Sequence, residues 1–413
     1  MVQVLNLSLI FFCVILQINA QKVNVCKKFI NYYLKSPQVC YYNPDQNTEV
    51  PDIVTRLGYP IESYNVTTED NYILTVFRLP QPGAKPIFLQ HGIALSAICF
   101  VDTLESSLAF VLYDAGYDVW IGNFRGNRYS NKHVTLDPNT EEYWNFSFHE
   151  MGKFDLKAQL GLVYNETGKK IYYVGYSMGT TASYIYNILH PEDASEKLDI
   201  IVSLAPIVYM KNIPSSVAQI APLWPLIEPL VTKLTHGVIL QRSNVSINLI
   251  KTLCLGNLFE MFACQALIQS LFGYDNDQLN PETLPVTMVQ NMEAISTKTI
   301  SHYVQFILYG KFSYFKFNEE TNKQIYGNAI PPLYNISSLN VPIYLMYGSN
   351  DFFSTIKNVD KFFNELPEDT KQNGKYLVQL KKFNHADFIT AKDIKSLVYD
   401  PLIKFLNNSI LQS

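Results

Sequence analysis

Residues 169–190, "KKIYYVGYSMGTTASYIYNILH", set an apolar run directly against a Gly-x-Ser-x-Gly and then a stretch of helical spacing. No room is left for a loop longer than the motif itself. A strand over Lys170 to Tyr176 therefore has to pass into a helix beginning near Met178 through a turn centred on Ser177. Such a turn forces the serine into strained backbone angles, and glycine at 175 and 179 leaves the neighbouring segments room to approach. The hydroxyl then stands at the carboxyl edge of a sheet, beside a helix N-terminus that favours developing negative charge. A pattern this short also arises by chance, so the surrounding chain decides between a nucleophile and a turn serine.

The surroundings alternate. "KPIFLQHG", "YDVWIGN", "KKIYYVGYS" and "LDIIVSLAPIVYM" read as strands, with the helical patterns "SLAFVLYDAG", "FDLKAQLGLVYNETG" and "GTTASYIYNILH" between them. Ahead of these, "ESYNVTTEDNYILTVFRLP" reads as two strands around the turn "TEDN". This order predicts an α/β fold with a mostly parallel, doubly wound sheet. From about residue 211 to 335 the alternation gives way to proline-punctuated, helix-compatible apolar segments. It resumes with "NVPIYLMYGSND", "VDKFFNELP", "GKYLVQLKKFNHADF" and the amphipathic "IKSLVYDPLIKFLNN". The expected organisation is a leader over 1–20, an N-terminal segment over 21–50, a core in two parts over 51–210 and 336–413, and a mainly helical cap or lid inserted over 211–335.

The leader "MVQVLNLSLIFFCVILQINA" is apolar, ends in a small residue and gives way to "QKVN", which predicts a signal peptide cleaved after Ala20, although no Lys or Arg precedes the apolar run. Asn-x-Ser/Thr sequons at Asn65, Asn145, Asn165, Asn244, Asn335 and Asn407 suit a glycosylated protein of the secretory pathway, extracellular or lysosomal. The best remaining candidate for a membrane span, "SVAQIAPLWPLIEPLVTKL", is interrupted by Pro222, Pro225, Pro229 and Glu228, so no transmembrane anchor is expected. A net charge of −4 and the lack of a long basic block argue against a nucleic-acid partner. In an oxidising compartment Cys254 is expected to pair with Cys264, Cys26 and Cys40 form a second candidate pair, and Cys99 is left as a buried, inert thiol. No Cys/His spacing suggests a zinc site.

A serine hydroxyl needs a base to take its proton. In the strand–serine–helix setting the acid and then the histidine follow the serine in the chain. Of the downstream histidines at 190, 236, 302 and 385, only His385, in "KKFNHADF", follows the resumed sheet. Asp351, in "YLMYGSNDFF", ends the strand over Val341 to Tyr347, where a loop can aim it at the histidine; Asp387 is too close in sequence to His385, and Asp360 falls on a following helix. Acyl transfer also needs donors for the oxyanion. The backbone N–H of Met178 is one; in "FLQHGIALS" the N–H of Ile93 is the other, with Gly92 permitting the turn and His91 shaping the loop.

The blocks "GYPIESYNVTTEDNYILTVFRLP", "LQHGIALSA", "LAFVLYDAGYDVWIGNFRGN", "YWNFSFHEMGKFDL", "PPLYNISSLNVPIYLMYGSND" and "FNHADF" resemble the animal acid lipases, the family of gastric and lysosomal acid lipase, in order and over nearly the whole chain after the leader. The resemblance implies an α/β-hydrolase core with a cap and lid, and hydrolysis of acylglycerol or sterol esters at a lipid–water interface without metal or cofactor. It carries the triad onto Ser177, Asp351 and His385, the oxyanion hole onto Ile93 and Met178, and the family's paired cysteines onto Cys254 and Cys264. The chain departs from the family where Tyr176 and Met178 flank the serine in place of His and Gln, where Phe272 stands near an expected cysteine, and where Tyr303 follows His302 in place of Trp. A water-soluble carboxylesterase and a non-catalytic lipid carrier are the competing readings.

Overall fold

The computed structural model describes residues 23–410; the expected leader over 1–20 lies outside them. Eight strands run through the central sheet: β1 (Glu62–Thr67), β2 (Tyr72–Leu79), β3 (Pro86–Gln90), β4 (Asp118–Gly122), β5 (Ile171–Tyr176), β6 (Leu198–Leu204), β7 (Ile343–Tyr347) and β8 (Lys375–Leu377). Their spatial order is β8-β7-β6-β5-β3-β4-β2-β1, and the short strand Lys132–His133 pairs with β2. The hairpin β1–β2 and the β2–β4 ladder are antiparallel, whereas every ladder from β4 to β8 is parallel.

The central strands read as continuous apolar runs because both faces of the sheet are covered. Along β5, Ile171 and Tyr173 enter the core on one face, and Tyr172, Val174 and Tyr176 the core on the other. Strand β7 divides in the same way, with Ile343, Leu345 and Tyr347 opposite Tyr344 and Met346. β6 is shorter than the apolar run "LDIIVSLAPIVYM" suggests. It stops at Leu204 because Ala205 turns to φ 53° and Pro206 has no N–H to continue the ladder. β8, at the sheet edge, likewise stops at Leu377, and the residues from there to His385 form a loop.

The α/β order is broken between β6 and β7. Helix α1 (Met178–Leu189) belongs to the core. The inserted residues contribute α2 (Trp224–Thr235), α3 (Asn244–Cys254), α4 (Leu258–Phe272), α5 (Leu284–Gln290) and α6 (Thr297–Tyr309). A disulfide between Cys254 and Cys264 ties α3 to α4. The N-terminal segment, closed by the disulfide between Cys26 and Cys40, packs against these helices rather than against the sheet. Its contacts are specific: Tyr32 Oη donates to Pro281 O at 2.7 Å, Gln46 Nε2 to Pro285 O at 2.9 Å, and Gln290 Nε2 donates back to Thr48 O at 2.8 Å. Cys99 is buried with a free thiol, and burial pushes its pKa well up.

Asp102 sits buried where the core meets the inserted helices. Asn291 Nδ2 donates to its Oδ2 at 2.9 Å, while Oδ1 of both residues has no partner among the described residues. Burial raises the Asp102 carboxyl to about 8. A proton retained on the carboxyl spares the fold an uncompensated buried charge and turns one oxygen from an acceptor into a donor. Because the folded pKa lies above the ordinary carboxylate value near 4, this stabilisation is complete below about pH 4 and is lost as pH rises toward 8. Asp102→Asn supplies a permanent N–H in the same shape. Thermal denaturation at pH 4, 6 and 8 is expected to show the variant gaining on the wild type with rising pH, with the two converging at pH 4.

Candidate active site

Ser177 holds φ 52° and ψ −115°, the strained turn between β5 and α1. Its N–H donates to Leu204 O at 3.0 Å, which ties the turn to β6. The flanking glycines are demanded by contact. A Cβ on Gly179 would lie 2.5 Å from Gln90 O at the end of β3, and one on Gly175 would lie 2.9 Å from Gly179 C. Helix α1 thus starts against the backbone of β3 with the serine hydroxyl above it.

His385 Nε2 lies 2.8 Å from Ser177 Oγ, and His385 Nδ1 lies 2.8 Å from Asp351 Oδ2. Asp351 Oδ1 accepts from the N–H groups of Phe353 at 2.8 Å and Ser354 at 2.7 Å. The carboxylate is therefore fixed from both sides, and an Nδ1–H on the imidazole leaves Nε2 as the acceptor facing the serine. All three side chains are buried. Asp387 accepts instead from Asn384 N at 2.7 Å, and Asp360 pairs with Lys375. His190 bonds Lys153 O, and His302 is buried between Ser147 Oγ and Ser313 O with its pKa held down at about 3 by desolvation.

His91 has a defined part in the neighbouring loop. Its Nε2 accepts from Phe124 N and from Asn127 Nδ2, both at 3.1 Å, so Nδ1 carries the hydrogen and donates to Gly92 O at 2.8 Å. Burial keeps the ring neutral, with a pKa lowered to about 4. Gly92 O and Ile93 N–H belong to one trans peptide and point in opposite directions. Holding the oxygen therefore sets the direction of the Ile93 donor. Arg125, beside Phe124, is buried and bonded to Asp155 and Asp70, which locks the loop that holds His91.

An aromatic shell around His385 is absent from any local sequence pattern. Phe272, the last residue of α4, stacks on the imidazole at 5.6 Å and 11°, Phe353 meets it edge-on at 5.4 Å, and Tyr176 packs at 5.3 Å. Phe272 O accepts from His385 N at 3.2 Å and from Phe352 N at 3.3 Å, and Gly273 O accepts from Asn384 Nδ2 at 3.0 Å. The end of α4 is thus joined to the loops of both Asp351 and His385. A cavity of about 300 Å³ opens over Ser177, with apolar walls from Ile93, Ile268, Leu271, Phe272, Leu284 and Met288. No group of three or more metal-ligating side chains occurs among the described residues.

The chain that carries this site is similar to known proteins in sequence and fold. A family described as alpha/beta hydrolase fold matches residues 85–392, and one described as a partial alpha/beta-hydrolase lipase region matches residues 50–104. Lipase 1 of Drosophila melanogaster is 34% identical over 364 residues, covering 88% of this chain and 80% of that protein. Lipase member K of Homo sapiens is 35% identical over 87% of this chain and 91% of its own length, and mouse gastric triacylglycerol lipase is 34% identical over 88% and 93%. A solved structure from Sulfolobus solfataricus, described as a candidate lipase, shares the fold with a TM-score of 0.54 at 14% identity, over 84% of this chain and 94% of that one. The chain belongs to the α/β-hydrolase fold and, within it, to the gastric-lipase-like acid lipases: it is a carboxylic ester hydrolase.

Gly273 carries the junction between α4 and these loops at φ 114°, and a Cβ there would fall 2.1 Å from Asn350 O. Gly273→Ala is expected to displace the Asp351 and His385 loops together. Ester turnover should fall about tenfold or more, from backbone strain of about 1–3 kcal/mol, with far-UV circular dichroism unchanged.

Proposed function

We propose that the protein is a serine lipase that cleaves carboxylic esters of neutral lipids, triacylglycerols or sterol esters, through an acyl-enzyme on Ser177. The observation that carries this reading is the unbroken chain Ser177–His385–Asp351, with both links at 2.8 Å, opening into a mainly apolar cavity. His385 Nε2 takes the serine proton as Oγ attacks the ester carbonyl, and Asp351 stabilises the imidazolium. The N–H groups of Ile93 and Met178 receive the charge on the carbonyl oxygen. The alcohol leaves with the proton from His385; water then repeats the attack and frees the fatty acid. Ser177→Ala is expected to lower turnover of a long-chain ester by at least about 10⁴-fold without loss of fold, read by rate assay and circular dichroism. Retained activity would reject the assignment.

Residues 211–335 act as a cap in this reading, and its outer surface suits a lipid–water interface. Leu226, Leu230 and Leu234 repeat every fourth residue on α2 and are 78%, 61% and 71% exposed, so one face of the helix presents leucine to solvent. No single helix among the described residues is long and apolar enough to cross a membrane. The sequon residues Asn65, Asn145, Asn165, Asn244, Asn335 and Asn407 are all exposed, which supports glycosylation and passage through the secretory pathway toward the cell exterior or the lysosome. Replacing Leu230 and Leu234 by Glu is expected to reduce the rate on emulsified substrate severalfold and to spare a monomeric short-chain ester. Equal losses on both would place these leucines outside interfacial binding.

A further inference from the structure

The buried side of α4 carries Leu258, Met261, Gln265 and Gln269. The two glutamines lie one turn apart, and their environments differ. Gln269 Nε2 donates to Asp275 O at 3.2 Å and Asn276 Oδ1 at 2.9 Å, so its amide fastens the following loop. Gln265 is only 6% exposed, lines the cavity over Ser177, and its carboxamide has no hydrogen-bond partner among the described residues. Across the same cavity Thr283 is 4% exposed and sits at the N-cap of α5, yet its hydroxyl makes no capping bond. Of the other polar side chains of the lining, Thr287 bonds Leu284 O, Thr390 bonds Ala386 O, Asn280 Oδ1 accepts from Glu282 N, and Asn291 bonds Asp102 through Nδ2 alone.

Gln265 and Thr283 can bond water while the chamber is wet, but a hydrocarbon that displaces that water leaves both groups unpaired, which is unfavourable. A hydrocarbon acyl chain offers neither donor nor acceptor. The alcohol half of a glyceride does, through its remaining ester carbonyls or free hydroxyls, whereas the alcohol half of a wax or sterol ester is hydrocarbon apart from the scissile oxygen. We propose that Gln265, together with Thr283, is a specificity-determining residue that hydrogen-bonds the glycerol-side oxygens and favours acylglycerols over wax and sterol esters. This rests on the lipase reading of the Ser177 site and narrows its substrate class.

The test holds the acyl group constant. Full-length wild type, Gln265→Leu and Gln265→Met are compared on trioleoylglycerol, monooleoylglycerol, oleyl oleate and cholesteryl oleate, alongside the rate of Ser177 labelling by an alkyl phosphonate. Both variants are expected to lose about tenfold in kcat/KM on the two glycerides, the scale of one neutral hydrogen bond left unmade. They should keep the rates on oleyl and cholesteryl oleate within about twofold and leave phosphonate labelling unchanged. An equal loss on all four esters, or no change on any, overturns the proposal while leaving the lipase reading intact. A wild type that is labelled but cleaves none of the four esters would bring down the lipase reading itself, and this inference with it.

Discussion

The constraint beneath the whole site is the approach of the first turn of α1 to the backbone of β3, with no side chain between them. Gly179 lies where a methyl group would strike Gln90 O, so the helix can start directly over the strand end. That closeness puts Ser177 in its strained turn, sets the Met178 N–H beside the hydroxyl, and brings the loop after β3 alongside. The strain, of order 1–3 kcal/mol, is held by a sheet buried on both faces and by the bond from Ser177 N to Leu204 O.

Much of this was legible in the chain. Apolar runs alternating with helical spacing carried the parallel sheet, because strands covered on both faces need no polar alternation. The order of Ser177, Asp351 and His385, each expected after a strand, was enough to single out three residues that lie in one hydrogen-bonded chain, although a loop separates His385 from the end of β8. The limits of β6 and β8 were less legible: Ala205 turns to positive φ, and β8 lies at the sheet edge and closes after three residues, two outcomes that depend on tertiary context rather than on local hydrophobicity.

The side chains that surround the triad were hidden for a related reason. Nothing local to Phe272 announces that its ring stacks on His385; the sequence marked only that an expected cysteine is missing near it. Gln265 and Gln269 are the same residue type on the same helix face, and only the path of the loop over 275–276 separates an engaged amide from an idle one. The packing of the N-terminal segment was not legible because its apolar partners, Leu255, Leu258 and Met261, lie more than two hundred residues further along. His91 was legible as a loop residue, but its tautomer follows from donors contributed by Phe124 and Asn127.

The splice at Phe272 and Gly273 makes the chamber wall and the His385 imidazole parts of one mechanical unit. One carbonyl of that joint holds the main chain of His385 and the other anchors Asn384 beside it. Grafting an insertion from another esterase onto this sheet would therefore need to carry the joint along with its helices. Without it, the transplanted enzyme would inherit a roof whose inner edge no longer steadies the base.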